Sequence, residues 1–259
     1  MTAPPASATR FDDRVEDYVR YRPGYPAALI DWLHDELGVS ADAAVADIGA
    51  GTGISSRLFL DAGHPVVAVE PNAAMRAAAE RALGAAHGSR FRALAGTAEA
   101  TALPDRSTDV VAAAQAFHWF DTEVVRREWA RVLRPGGLAV VFWNTWSAGD
   151  SDFLAAYDAL LRTWGTDYAG VAQRWQDDAT MQAWFGSGLA GRRSWPNPQR
   201  LDYDALRGRL LSSSYTPRAG APGHAELLAG LRDLFDTHAR DGHVDFDYRT
   251  RAFAGRLDP

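Results

Sequence analysis

The chain has no cysteine and no lysine. Without cysteine there is no disulfide, no thiolate nucleophile and no Cys-ligated zinc. Without lysine, all 27 basic side chains are arginine, which we read as a coding bias and not as a signal for nucleic acid. Acidic groups outnumber them and the net charge is −6, which argues against general nucleic-acid binding. No apolar stretch is long enough to span a membrane, and residues 1–10, small and polar with Pro4 and Pro5, lack the apolar core of a signal peptide. These absences make a cytoplasmic location the expectation, with residues 1–10 a disordered leader. No internal repeat occurs, and no His-rich or paired-carboxylate spacing suggests a metal site. What remains is a globular composition, 47% apolar over 259 residues, enough to bury a sizeable core.

Residues 44–54, Ala-Val-Ala-Asp-Ile-Gly-Ala-Gly-Thr-Gly-Ile, organise the rest. A short apolar run ends at Asp47, Gly49, Gly51 and Gly53 follow, and Ile54, Leu58, Phe59 and Ala62 then mark one face of a helix. The pattern reads as strand, tight glycine turn and helix, with unpaired helix N–H groups offered to a ligand. A second apolar run, residues 66–69, ends at Glu70. In a parallel sheet Glu70 sits beside the glycine turn, as a strand-end group outside the core, where it can accept both hydrogen bonds of a ribose diol. The third glycine comes one position too early for a dinucleotide fingerprint, and Asp47 opposes a pyrophosphate but suits an ammonium. S-adenosylmethionine carries an ammonium and a ribose diol and no phosphate. Asp-x-Gly-x-Gly-x-Gly resembles motif I of the class I S-adenosylmethionine-dependent methyltransferases.

Further along, Asn72 caps a helix holding Met75, Ala78, Ala82 and Leu83, strands are expected at residues 90–95, 109–114 and 138–143, and a helix carries Val124, Val125, Trp129, Val132 and Leu133. One crossover lacks a full helix. Residues 191–199 suggest a sixth strand, residues 203–211 and 224–238 read as helices, and Val244, Phe246 and Tyr248 alternate as a last, antiparallel strand. Residues 146–186 are helical in pattern and rich in aromatics, among them Trp146, Trp164, Trp175 and Trp184, with Phe153, Tyr157 and Tyr168. They fit either a packed helical layer or an aromatic-walled chamber. The expected fold is α/β, a doubly wound Rossmann-like, mostly parallel seven-stranded sheet with an antiparallel last strand and a helical insertion in the C-terminal half. The expected division is a core over residues 11–145 with an N-terminal lid, and a substrate cap plus the last strands over residues 146–259.

The resemblance extends beyond motif I. Residues 96–103, the run Gln115-Ala116-Phe117-His118-Trp119-Phe120, the turn Leu133-Arg134-Pro135-Gly136-Gly137, and the Tyr18, Arg22, Tyr25 entry resemble the type 11 methyltransferase group, which includes the trans-aconitate-methyltransferase-like proteins. It implies S-adenosylmethionine as cofactor and S-adenosylhomocysteine as product. Asp47, Gly49, Ala50 and Gly51 would hold the methionine end, Glu70 the ribose, and Ala98 and Glu99 the adenine, with Pro71, Met75 and Gln115 also at the cofactor. The entry segment, residues 18–26, reads as a lid, with Tyr18 over the cofactor and Arg22 near the methionine carboxylate. His118 follows the fourth strand, beside the sulfonium, and is the candidate base. The expected partner is a small-molecule substrate, with no nucleic acid, no membrane and no stated oligomeric state. A cofactor binder that does not methylate and an NAD-dependent oxidoreductase are the competing readings.

The cofactor assignment has a direct check. S-adenosylhomocysteine at about 100 times its Kd should add ~2.7 kcal/mol to stability, seen as several degrees in a thermal melt. NAD should leave the melt where it was; an equal shift with NAD would reverse the assignment.

Overall fold

The computed structural model describes residues 20–168, 170 and 177–257. Its elements in chain order are α1 (Ala28–Asp35), β1 (Val45–Ile48), α2 (Ile54–Asp61), β2 (Val66–Val69), α3 (Ala73–His87), β3 (Phe91–Leu94), β4 (Thr108–Ala114), α4 (Thr122–Val132), β5 (Leu133–Thr145), α5 (Asp152–Trp164), α6 (Asp178–Phe185), β6 (Leu189–Pro196), β7 (Gln199–Leu201), α7 (Tyr203–Leu211), α8 (His224–His238), β8 (Val244–Phe246) and β9 (Arg249–Gly255). Seven strands form one sheet in the order β3-β2-β1-β4-β5-β9-β6. β1 to β5 run parallel, and β9 is antiparallel to both of its neighbours.

The strands are apolar on both faces because helices cover both faces. Side chains of successive residues alternate between two cores. Val45, Val110, Ala112, Val140 and Phe142 join Leu29, Trp32, Leu33 and Phe59 on one side. Ala46, Ile48, Val111, Ala113, Val141 and Trp143 join Phe117, Trp129 and Phe185 on the other. A third cluster unites Phe153, Tyr157 and Leu161 of α5 with Leu206 and Leu210 of α7, Leu227 and Leu231 of α8, and Phe246 and Tyr248. It forms a cap outside the sheet.

Helix starts follow the sequence. Asn72 Oδ1 accepts from Met75 N at 2.9 Å, and Asp121, Ser151, Asp177 and Asp202 cap α4, α5, α6 and α7 in the same way. The expected α7 and α8 have the observed bounds, and the β3 to β4 crossover contains no helix. The last strand differs from expectation. Val244, Phe246 and Tyr248 do point inward, but β8 pairs with β7 in a separate two-stranded sheet, and the antiparallel strand of the main sheet is β9. A period of two is the same in either sheet, so alternation alone did not separate them. The aromatic segment also resolves mainly into packing. Trp184 lies edge-on to Phe117, centroids 4.8 Å apart, Trp164 is on the surface, and Phe153, Tyr157 and Tyr168 belong to the cap core. Trp175 lies outside the described residues. No helix among the described residues is long and apolar enough to cross a membrane.

At the end of the sheet away from the glycine turn, two imidazoles meet. His64 is 1% exposed; its Nδ1 bonds Ala43 O at 3.0 Å and its Nε2 lies 3.0 Å from His34 Nε2. The carbonyl requires a proton on Nδ1, so Nε2 of His64 accepts from His34. Burial, first among its causes, lowers the His64 pKa from the ordinary value. The folded state therefore resists protonation that the unfolded chain accepts. The contribution of this pair is complete above the ordinary imidazole value, about 6.5, and is lost as pH falls below it. His64→Gln should cost more stability at pH 7.5 than at pH 5.5 in parallel denaturant titrations. An equal cost at both pH values would show that His64 does not titrate against its burial.

Candidate cofactor and acceptor site

β1 ends at Ile48, and the chain reverses through Gly49, Gly51 and Gly53 with φ of 68°, 57° and 85°, a region that L side chains rarely adopt. Space demands glycine as well. A Cβ on Gly49 would stand 2.8 Å from the Ala116 Cβ. Gly53 leads into α2 without a side-chain cap.

Two acids frame this turn. Asp47 is fully buried and lies beneath the turn, with Oδ2 accepting from Ser55 Oγ at 2.7 Å and Ser56 Oγ at 2.6 Å. Among the described residues its Oδ1 has no hydrogen-bond partner. Burial outweighs the serine bonds and pushes its pKa up to about 6. Glu70 is 7% exposed, not a free strand-end group. Its Oε2 accepts from Gly51 N at 2.9 Å and its Oε1 from Asn72 N at 2.8 Å. Burial raises its pKa too, against the lowering effect of those two amides.

The neighbouring strand ends complete the wall. β1 and β4 are adjacent, and the chain leaves them toward opposite sides of the sheet, the switch point where α/β folds bind ligands. Gln115 follows β4 with φ of 55°, an uncommon conformation for a non-glycine residue. Two bonds to β5 hold it: Gln115 N donates to Phe142 O and its Nε2 to Asn144 O, both at 3.0 Å. His118 sits in the next turn, its ring 4.8 Å from that of Trp119.

The entry segment crosses above. Arg22 Nη2 donates to Ser212 O and Ser213 Oγ, both at 3.1 Å. Gly24 O accepts from Asn144 Nδ2 at 3.0 Å and from Asn197 Nδ2 at 2.9 Å. Tyr25 meets Phe142 edge-on at 4.7 Å. The Tyr21 ring fills the place of a side chain on α7: a Cβ on Gly208 would lie 2.1 Å from it. The segment thus bridges the sheet and the cap.

Between them lies an open cleft. It brings together Arg22, Gly49, Ala50, Gly51, Gln115 and His118 from the sequence-expected set. Asp47 is not in its wall but acts on it through Ser55, which is. Glu70, Pro71, Met75, Ala98 and Glu99 lie farther along the same rim, at the ends of β2 and β3, outside the cleft lining. Glu99 Oε1 accepts from Asp121 N at 3.2 Å. Tyr18 falls outside the described residues. Among the described residues no three His, Asp or Glu side chains gather as a metal site requires. Sequence reasoning missed Arg209, Tyr248 and Asn144, all in the cleft wall. A signal for Arg209 existed: it stands three residues after Leu206 and one before Leu210, on the apolar face of α7.

The family model for a methyltransferase domain matches residues 46–141, from β1 into β5. An uncharacterized methyltransferase of Mycobacterium tuberculosis is 35% identical over 228 residues, 88% of this chain and 86% of the relative. An uncharacterized methyltransferase-like protein of Schizosaccharomyces pombe is 28% identical over 260 residues, 96% of each chain. A solved structure of a candidate type II methyltransferase from Anaeromyxobacter dehalogenans superposes with a TM-score of 0.69 at 28% identity, over 92% of this chain and 99% of that one. The glycine turn, the acid after β2 and these matches agree: the chain belongs to the S-adenosylmethionine-dependent methyltransferases, in the type 11 group.

Proposed function

We propose that this methyltransferase acts on a small-molecule acceptor held between the glycine turn and the helical cap. One observation carries the reading. The cleft is walled by the entry segment, with Arg22, Pro23 and Tyr25, and by Arg209 of α7 with Ser214 and Tyr215 beyond it, and Arg22 ties the two together through Ser212 and Ser213, leaving a space of the size of a small molecule beside the glycine turn. The net charge of −6 supports it.

The residues present fit the cofactor. Asp47 Oδ1 is a buried acceptor without a donor, suited to an ammonium near the turn. Glu70 spends one lone pair of each oxygen on backbone amides, and carboxylate oxygens have further acceptor capacity for a ribose diol. Arg22 would face the methionine carboxylate, Tyr18 would cover the cofactor, Ala98 and Glu99 would meet the adenine, and Pro71 and Met75 would flank the ribose. S-adenosylmethionine supplies an electrophilic methyl on a sulfonium. The protein's part is alignment and exclusion of water, which can be worth on the order of 7–11 kcal/mol in ideal cases. Gln115, fixed to β5, orients the wall of the cleft, and His118 takes the proton of an acceptor that arrives protonated.

Labelled methyl from S-adenosylmethionine should enter the small-molecule fraction of a cell extract and not its RNA or protein; label confined to macromolecules would refute the reading. With the acceptor in hand, His118→Gln should lower kcat by roughly 10²-fold at unchanged affinity for S-adenosylhomocysteine. A variant as fast as the parent would leave His118 without a role as base.

Asp47 yields a separate test. Its folded pKa, about 6, lies above the ordinary aspartate value of about 3.9. An acid raised on folding destabilises the protein as pH rises through that window, and the cost is complete above it. Asp47→Asn should therefore stabilise the ligand-free protein at pH 7 by ~1–3 kcal/mol, with little effect at pH 3.5. The same change should weaken S-adenosylhomocysteine binding at least about tenfold, through loss of the negative charge that lies beneath the turn behind Ser55. Calorimetry showing unchanged affinity would remove Asp47 from the ammonium site.

A further inference from the structure

α4 holds the crossover between β3 and β4 at two places. At the start of the helix the Asp121 amide donates to Glu99 Oε1 at 3.2 Å. Two turns on, Glu128 Oε1 accepts from the Thr101 amide at 2.9 Å and from the Thr101 hydroxyl at 2.6 Å. Arg131 of the same helix meets that carboxylate as a fork, with Nη2 donating to Oε1 at 2.7 Å and Nε to Oε2 at 2.8 Å. Its Nη1 also donates to Asp105, farther along the crossover. The bonds from Arg131 are the largest cause of the fall in the Glu128 pKa to about 2. The carboxylate is therefore ionised throughout the neutral range, and hydrogen bonds to an ionised acceptor are the strong ones.

Thr101 is fully buried and forms the base of a small turn. Thr97 N donates to Ala100 O at 3.1 Å and Ala100 N to Thr97 O at 3.3 Å, which leaves Ala98 and Glu99 at the tip. The Thr101 carbonyl lies against the other leg: a Cβ on Gly96 would stand 2.8 Å from its oxygen. After Thr101 comes Ala102 with φ of 58°, a conformation that a non-glycine residue keeps where its surroundings impose it. The bonds of Glu128 hold the chain before Ala102, and the Leu103 amide, donating to Thr101 Oγ1 at 3.3 Å, holds it after. The turn belongs to no helix or strand, and Gly96, Thr97 and Glu99 are only half-buried. Its position depends on what grips its base.

We propose that Glu128 is a positioning residue for the cofactor, which acts through Thr101 to set the turn that meets the adenine. The inference rests on the adenine placement at Ala98 and Glu99 made above. The Asp121 amide takes Glu99 Oε1, leaving Oε2 for the exocyclic amino group of an adenine. A carboxylate distinguishes an amino group, which donates, from a carbonyl oxygen, which only accepts, when the group lies within hydrogen-bond reach. A turn displaced by about an ångström forfeits that distinction. The methionine and ribose ends keep their own contacts, because Asp47 and Glu70 are held by Ser55, Ser56, Gly51 and Asn72 and not by α4.

Calorimetry on the full chain compares S-adenosylhomocysteine with S-inosylhomocysteine, which carries a carbonyl oxygen in place of the exocyclic amino group. The parent protein should prefer S-adenosylhomocysteine by at least about tenfold. Glu128→Ala should reduce the preference to about threefold or less, whereas Glu128→Gln, which keeps an acceptor for Thr101, should retain most of it. A role in stability alone would lower the melting temperature and weaken both ligands alike. An unchanged ratio of the two affinities in folded Glu128→Ala would therefore overturn the proposal, and so would a glutamine variant as indifferent as the alanine one. Should the alanine variant not fold, Thr101→Val decides. It removes the hydroxyl bond at nearly constant size and should lower the preference by about threefold; a ratio equal to the parent's would overturn the proposal. Glu99→Ala separates the two readings. If it keeps the parent's preference, or the parent shows none, the adenine lies elsewhere and the placement and the proposal fall together. If it loses the preference while Glu128→Ala keeps it, the placement stands and the role of Glu128 alone falls.

Discussion

The carboxylate of Glu70 holds the glycine turn in place. One oxygen accepts the amide of Gly51 and the other that of Asn72, so a single side chain joins the turn after β1 to the start of α3. Below it, Asp47 ties the same turn to Ser55 and Ser56 of α2. The charge of Asp47 adds to the reluctance of Glu70 to ionise. Both are buried, and burial is the largest cause of the upward shift in each. The turn is thus built on two carboxylates whose negative charge the protein only partly compensates. Such a site is less stable empty than it could be, and it is preorganised for a ligand with positive groups.

The side of the cleft toward α7 and the entry segment has the opposite sign. Arg209 brings a full positive charge into an aromatic cage, and Arg22 links the entry segment to the end of α7.

How much of this was legible depended on the range of the interactions. β1, the three glycines, α2 and Glu70 were readable because strand, turn and helix are local, and each has its own period or residue type. The Asn72 cap was readable for the same reason. The burial of Glu70 was not, since it depends on amides at Gly51 and Asn72 turning toward one oxygen pair. Asp47 could be read as the acid that ends β1, but its place under the turn depends on Ser55 and Ser56 rising to meet it. Arg209 was obscured because its cage is assembled from α5, α7 and β8 with the residues after it. The split between β8 and β9 was obscured because Tyr248 ends one alternating run as Arg249 begins another, and only long-range pairing separates them.

The place of β9 in the sheet has a consequence for how the chain is made. Among the described residues β6 has no partner in the main sheet except β9, and β9 lies between β6 and β5. A ribosome delivers β6 first and β9 roughly fifty residues later, an interval of several seconds at about 5–20 residues per second. Throughout it, β5 presents an open edge, and β6 has nowhere to dock. Asn144, at the end of β5, waits over the same interval for Thr250 of β9, whose hydroxyl it accepts at 2.5 Å. The nascent chain therefore carries an almost complete cofactor half with an exposed β-edge, the kind of surface that invites mispairing with another chain and that chaperones cover.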